Sequence, residues 1–359
     1  MKVALLTTEY PPRWGGMGSN VFHTARELAR RGHEVHVVTR LGPAPPPLAN
    51  VTVHRVGMAP VPVHYAVSFA RRAVPVALAL DADVVHVHSP CALPTRRAWD
   101  AMDAAGVGTV VTFHGTWRGE RAALALDGAR RLTLNDLGIL ALSGAHERLE
   151  TLALRRARMP VTVSGFSKGE LAAYDAREAA RVRVVPNGVD VERFAPRGPP
   201  PGDGTVLAVG RLSGRKNLLA LVRAAARPES RASRLVPVAL EVVADAPEHD
   251  LLDAYAGADV FALPSRYEGQ GIAFLEAMAG GLPVVAGRAG GAPEVVVDGV
   301  TGALVAPDDE RALAAAIGRY LADPALARAH GEAGRRRAEE FAWPRLVEDL
   351  LALYKEALP

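Results

Sequence analysis

Short runs of valine, leucine and alanine recur along the chain, separated by longer stretches in which apolar residues return every third or fourth position. Many of the runs at 3–8, 35–40, 51–56, 84–88, 109–114 and 161–164 are apolar nearly throughout, as strands covered on both faces should be. Helical period marks the stretches at 19–31 and 142–158. A second series of runs, at 182–185, 205–209, 238–243, 259–263, 283–286 and 303–305, repeats the rhythm. This alternation predicts an α/β protein with parallel sheets, in two Rossmann-like, doubly wound domains facing each other across a cleft. Ligands of such sheets sit beyond the carboxyl ends of the strands, so the loops there carry the candidate chemistry.

A length of 359 residues also favours two domains over one core. The segment 197–204, Arg-Gly-Pro-Pro-Pro-Gly-Asp-Gly, has linker composition, and the domain switch is expected between Gly165 and that loop. Composition excludes several classes. The longest apolar run, 73–80, is too short to span a bilayer. The start of the chain has no signal-peptide pattern, and Cys91 is the only cysteine, so a cytoplasmic protein without disulfides is expected. A net charge of +3 gives no basis for nucleic-acid binding. Four lysines stand against 38 arginines, so each lysine is singled out. The pairs Arg71-Arg72 and Arg155-Arg156, the latter near Arg158, read as solvated helix ends, with peripheral contact at the inner membrane face as the alternative.

The most informative stretch is 263–279, Leu-Pro-Ser-Arg-Tyr-Glu-Gly-Gln-Gly-Ile-Ala-Phe-Leu-Glu-Ala-Met-Ala. A strand ends at Leu263, a polar loop carries Glu268, and Gly269 and Gly271 open a helix holding Glu276. Glycines permit close backbone approach, and a helix start offers unpaired N–H groups and a positive dipole end, a site for phosphate or sugar oxygens. The helix is apolar around Glu276, which predicts a buried carboxylate in need of donors. A ribose diol would supply two hydroxyls; a salt bridge to a nearby arginine is the competing reading.

A second cluster follows the strand at 205–209: Gly210-Arg-Leu-Ser-Gly-Arg-Lys-Asn217 places Arg211, Arg215 and Lys216 at a strand end and helix start. Such donors suit a diphosphate, although the spacing is not a Walker loop. On the N-terminal side, Gly15, Gly16 and Gly18 lie in the first strand-to-helix loop, without the dinucleotide fingerprint. His114, in Thr112-Phe-His-Gly-Thr116, ends another strand and can donate to a sugar hydroxyl or a developing charge. His86 and His88 read as packing residues. No cluster has metal-ligand spacing.

Two glutamates with seven residues between them, in the setting Pro-Ser…Glu-Gly-x-Gly…Glu-Ala, resemble the signature of the GT-B retaining glycosyltransferases of family 4. Gly210-Arg-Leu…Lys-Asn, the Gly-Gly loop, Thr-x-His-Gly, Ser164-Gly-Phe-Ser-Lys168 and Pro186-Asn-Gly-Val-Asp190 are similar to further family elements, so the resemblance spans nearly the whole chain. It implies a GT-B fold with an acceptor-side domain over 1–165, a nucleotide-sugar domain over 166–342, and a last helix, 343–359, returning to the first domain. Glu268 would bind the donor sugar and Glu276 the nucleotide ribose. Backbone amides at Gly269, Gln270, Gly271 and Ile272 would bind sugar and phosphate, and Arg211 and Lys216 the diphosphate. Gly15 and Gly16 would lie over diphosphate and acceptor, and His114 near the sugar.

The implied activity is hexosyl transfer with retained configuration, from a UDP-, GDP- or ADP-sugar to an unidentified acceptor. It uses neither metal nor cofactor. The leaving diphosphate would depart into Arg211, Lys216 and the helix start and then take the acceptor proton. One departure stands out: between Asn217 and Tyr255 a βα unit seen in the family is missing, in the region bordering the base pocket. A nucleotide-sugar epimerase or a phosphorylase on the same fold, or a non-catalytic nucleotide-sugar-binding protein, are the alternatives.

Overall fold

The computed structural model describes residues 1–11, 15–59, 65–125, 134–210, 213–230, 234–239 and 248–359. The chain forms two compact units, Met1–Pro186 with Trp343–Pro359, and Asn187–Ala342.

The first unit holds β1 (Lys2–Leu6), β2 (Glu34–Arg40), β3 (Val51–Val56), β4 (Val84–Ser89), β5 (Gly108–Phe113), β6 (Met159–Thr162) and β7 (Arg183–Val184). They form a seven-stranded sheet in the order β3-β2-β1-β4-β5-β6-β7, and every recorded pairing is parallel. Alternate residues of β1 serve opposite faces. Ala4 and Leu6 pack with Phe69, Trp99, Met102 and Phe113, while Val3 and Leu5 pack with Leu28, Val347, Leu350 and Tyr354. A side chain that fully leaves water in such a core contributes about 1.5–3 kcal/mol, which is why β1, β4 and β5 are apolar at consecutive positions. The second cluster includes the apolar face of the last helix, Trp343–Ala357, which therefore belongs to this unit.

The second unit holds β8 (Thr205–Gly210), β9 (Arg234–Ala239), β10 (Val260–Leu263), β11 (Val284–Gly287) and β12 (Gly302–Val305), in the order β12-β11-β10-β8-β9. These pairings are parallel too. One face packs on Leu221, Ala224, Leu313, Ala314 and Ile317 of two helices. The glycines of the helix Pro324–Glu339 allow it to lie close on the helix Ile272–Ala279: a Cβ at Gly331 would overlap the Gly281 carbonyl.

Four expectations shift. The run at 182–185 does not open the second series: Val161 and Thr162 of β6 pair with Arg183 and Val184, so it closes the first sheet. The units accordingly divide at Pro186/Asn187, within the interval expected for the switch but later than residue 165. The long helix spans Leu134–Arg156, starting well before residue 142. The strand expected at 238–243 is β9, centred earlier, and residues 240–247 lie outside the described residues. Among the described residues, β9 is the single strand between the helices Leu218–Ala225 and Glu248–Ala256.

Candidate active site

In the second unit two loops leave the carboxyl ends of neighbouring strands, since β8 pairs with β10. After β8, Gly214–Lys216 forms one tight 3-10 turn, and Asn217, left-handed at φ 52°, starts the next helix. After β10, the loop from Pro264 to Gly271 leads into the helix Ile272–Ala279. The loops are joined by the Arg266 N–H, which donates to the Arg215 carbonyl at 2.7 Å.

Glu268 stands where they meet. Its Oε1 accepts from Lys216 Nζ at 2.5 Å and from Ser265 Oγ at 2.6 Å, and Arg215 approaches Oε2 at 3.5 Å. Arg215 also donates to the Tyr267 carbonyl at 3.2 Å. Glu268 is 5% exposed and Lys216 7%, so both charges are held out of water. Burial by itself pushes the Glu268 carboxyl up; the Lys216 ammonium and then the Arg215 guanidinium outweigh it, and the net shift is downward. Glu268 is thus a fixed anion, and Lys216 points into the loop cluster.

Glu276 lies one turn into the helix. Its Oε2 accepts from the Tyr255 hydroxyl at 2.7 Å, and Tyr255 is set by Phe194 and Phe261, with ring centroids at 5.4 and 6.0 Å. Among the described residues Tyr255 is its only recorded hydrogen-bond donor, and no arginine forms an ion pair with it. Burial pushes the carboxyl above its ordinary range; the Tyr255 hydrogen bond and the Arg193 and Lys216 charges only partly oppose this. The side chain is half-buried rather than buried as the sequence suggested, so the carboxylate keeps an accessible side on which hydroxyl donors could bind.

The helix start is shaped by Gly271, at φ 103°, where a Cβ would overlap the Phe274 ring. Gly271→Ala is expected to cost roughly 1–3 kcal/mol of stability, measured by urea unfolding, because both backbone and ring must move. Gly287, which ends β11, and Gly290 and Gly291 just beyond it hold the same loop from the other side. A Cβ at these three would overlap the carbonyls of Ser265, Glu268 and Gly269 in turn, and the Gly291 N–H donates to the Glu268 carbonyl at 2.9 Å. Gln270 is buried, and its amide serves protein backbone: Oε1 accepts from the Asn187 N–H at 2.5 Å and Nε2 donates to the Asn187 carbonyl at 3.2 Å. Its side chain is therefore structural, which leaves the backbone of Gly269, Gln270, Gly271 and Ile272 as the candidate ligand surface.

The structure thus gathers Glu268, Lys216, Glu276 and residues 269–272 into one site within the second unit. Arg211 lies outside the described residues. Gly15, Gly16 and His114 belong to the first unit. Gly15 caps the helix Gly16–Arg30 in an extended conformation, accepting from the Ser19 N–H at 2.8 Å. His114 follows β5, its ring nitrogen Nε2 2.9 Å from Nδ1 of His88. Ser265, Tyr255, Arg193 and the glycines after β11 were not among the residues assigned a role by sequence. Only the Gly-Arg-Ala-Gly-Gly run at 287–291 carried a signal, a glycine cluster at a strand end.

The family model described as Glycosyltransferase Family 4 matches residues 14–193, and that described as Glycosyl transferases group 1 matches residues 229–337. The chain belongs to glycosyltransferase family 4 and is a glycosyltransferase with the GT-B fold. It is 32% identical to alpha-maltose-1-phosphate synthase from Mycobacterium tuberculosis over 420 aligned positions covering 99% of each chain. It is 30% identical to a D-inositol 3-phosphate glycosyltransferase from Saccharomonospora viridis, covering 96% of this chain and 90% of the relative. Sucrose-phosphate synthase from Thermosynechococcus elongatus superposes with a TM-score of 0.80 at 23% identity, covering 99% of this chain and 98% of that one. HepE from Anabaena, solved with UDP-glucose, gives 0.68 at 18%, covering 98% and 99%. An alignment of 420 positions against 359 residues leaves segments of the synthase without counterpart here, in keeping with a shortened chain.

Proposed function

We propose that this glycosyltransferase is retaining and metal-independent, and that it transfers a hexosyl group from a nucleotide-diphosphate sugar bound in its second unit. The observation that carries the reading is Glu276, a half-buried carboxylate whose single recorded hydrogen-bond donor is Tyr255 and whose carboxyl is pushed up by desolvation. A ribose diol offers the donors it needs. The neighbouring cations, with the open helix start at Gly271, suit the diphosphate, and they grip hardest as negative charge builds on the leaving group. These fixed positive charges do the work that a divalent cation would otherwise do, which supports metal independence.

Retention follows a front-face course. A double displacement needs a carboxylate free to act as nucleophile. Glu268 is occupied by Lys216, Ser265 and Arg215, and in this reading Glu276 holds the ribose. The glycosidic C–O bond to diphosphate breaks while the acceptor oxygen bonds to the anomeric carbon on the same face. The acceptor proton passes to the departing diphosphate oxygen. Backbone N–H groups at 269–272 would hold the sugar hydroxyls, while His114, Gly15 and Gly16 keep the roles that the family resemblance implies for them. The names of the two relatives point to a phosphorylated sugar or polyol as acceptor. Among the described residues no helix is long and apolar enough to cross a membrane.

The test is a thermal-shift panel of UDP-, GDP- and ADP-sugars. One base class should raise the melting temperature, by the equivalent of about 2.7 kcal/mol at a hundredfold excess over Kd. With that donor, sugar phosphates and inositol phosphate should accept a hexose with the donor's anomeric configuration, undiminished by EDTA. Conversion of the donor without acceptor would indicate an epimerase, and a strict need for inorganic phosphate a phosphorylase. Indifference to every nucleotide sugar would overturn the proposal.

A further inference from the structure

β4 and β5 are adjacent, and His86 and His88 lie level with Val110 and Thr112. Strand alternation puts His86, His88, Thr112 and His114 on one face of the sheet, the face that also carries Val84 and Val110 and packs against the last helix. There they form a continuous polar column in an apolar setting. The Tyr354 hydroxyl lies 2.7 Å from His86 Nδ1, and His86 Nε2 lies 2.7 Å from Thr112 Oγ1. The His86 and His88 rings lie 4.1 Å apart between centroids, tilted by 33°, and His88 Nδ1 meets His114 Nε2 at 2.9 Å. His86 and His88 are 1% and 0% exposed. Burial, with the neighbouring imidazoles, pushes both far down, His86 to about 3, so both are neutral.

Neutrality makes the proton positions countable. The contact between His88 and His114 holds one hydrogen. If His114 donated it, or were cationic, the proton of His88 would sit on Nε2. That nitrogen is buried with no hydrogen-bond partner among the described residues. His86 cannot serve it, because both of its own nitrogens are engaged by Tyr354 and Thr112. A buried N–H without an acceptor is the costlier orphan; a bare imidazole lone pair is the cheaper one. The proton of His88 therefore belongs on Nδ1, donated to His114 Nε2.

We infer that His88 is a positioning residue, whose Nδ1–H locks the His114 ring in place and confines the His114 proton to Nδ1. His114 is then a neutral N–H donor of defined direction. Its use on a hydroxyl of the donor sugar rests on the function proposed above, whereas the tautomer does not. His88, which sequence reading set aside as packing, thereby shares in the reaction through its neighbour.

The test uses the full chain labelled with 15N-histidine. Long-range 1H–15N correlations report the tautomer of each of the 11 histidines, and His114→Gln identifies the pattern that belongs to His114. The expected pattern is Nδ1–H. His88→Asn, which keeps an N–H near the same place, should preserve it. His88→Leu should convert it to a mixture of tautomers, and kcat should fall roughly tenfold, one hydrogen bond's worth, with KM for the donor little changed. An Nε2–H or cationic pattern in the wild type overturns the inference, as does a His114 pattern indifferent to His88→Leu. Neither result depends on nucleotide binding, so failure of the thermal-shift panel and failure of this inference are read separately.

Discussion

Glu276→Gln is expected to remove most of the stabilisation that a nucleotide sugar confers while leaving the unliganded protein more stable at neutral pH. The carboxylate of Glu276 is the charged acceptor assigned to the ribose diol, and hydrogen bonds to a charged group contribute about 1.5–3 kcal/mol, so donor affinity should fall roughly 10- to 100-fold. The opposite effect on the empty protein follows from the raised pKa. A carboxyl whose folded value lies above its unfolded value favours folding at acid pH and loses that contribution as pH rises through the folded value. Glutamine has no charge to lose and can still accept from the Tyr255 hydroxyl. The variant should therefore gain over wild type at neutral pH, and the difference should shrink as pH falls below the ordinary carboxylate range. Isothermal titration and chemical denaturation across pH check the two halves. A variant that binds donor like wild type removes Glu276 from the site.

Lys216→Met should have the larger effect on turnover. Loss of one preorganised donor at a developing charge lowers kcat by about 10²–10³-fold. Stability should suffer as well, because Glu268 would keep its burial and lose its nearest cation. Breaking such a pair costs about 3 kcal/mol. With a lowered folded pKa, Glu268 contributes stability above its unfolded value and loses it as pH falls, so the deficit of the variant should be greatest at neutral pH and smaller in acid. Adding Glu268→Gln should recover much of the stability and none of the activity. Calorimetry beside single-turnover assays separates these outcomes, and recovery of turnover in the double variant would assign Lys216 a purely structural place.

Much of this organisation was legible because parallel sheets covered on both faces leave a strong local trace. β4, β5, β8, β10 and β11 are buried at every position, and their apolar runs stand out in the sequence. β7 has two exposed residues and is a strand only by virtue of its partner β6, a contact made across 20 or so residues, so no local pattern could assign it to the first sheet. The site divides likewise. Glu268 and Glu276 share one loop and helix, and their spacing is readable. Tyr255 reaches Glu276 from a preceding helix, and the glycines after β11 support Glu268 through packing of separate loops. Only tertiary structure reveals such partners. His88 shows the same limit from another side: burial was foreseeable from Val-Val-His-Val-His, but the neighbour that gives the burial a purpose sits on the next strand.

Gln270 clasps both backbone groups of Asn187, the residue at which the chain passes into the second unit. The loop that would receive the sugar and the segment that carries the polypeptide across are mechanically one body at this point. Loop and crossover segment are thereby joined by two hydrogen bonds from a single amide.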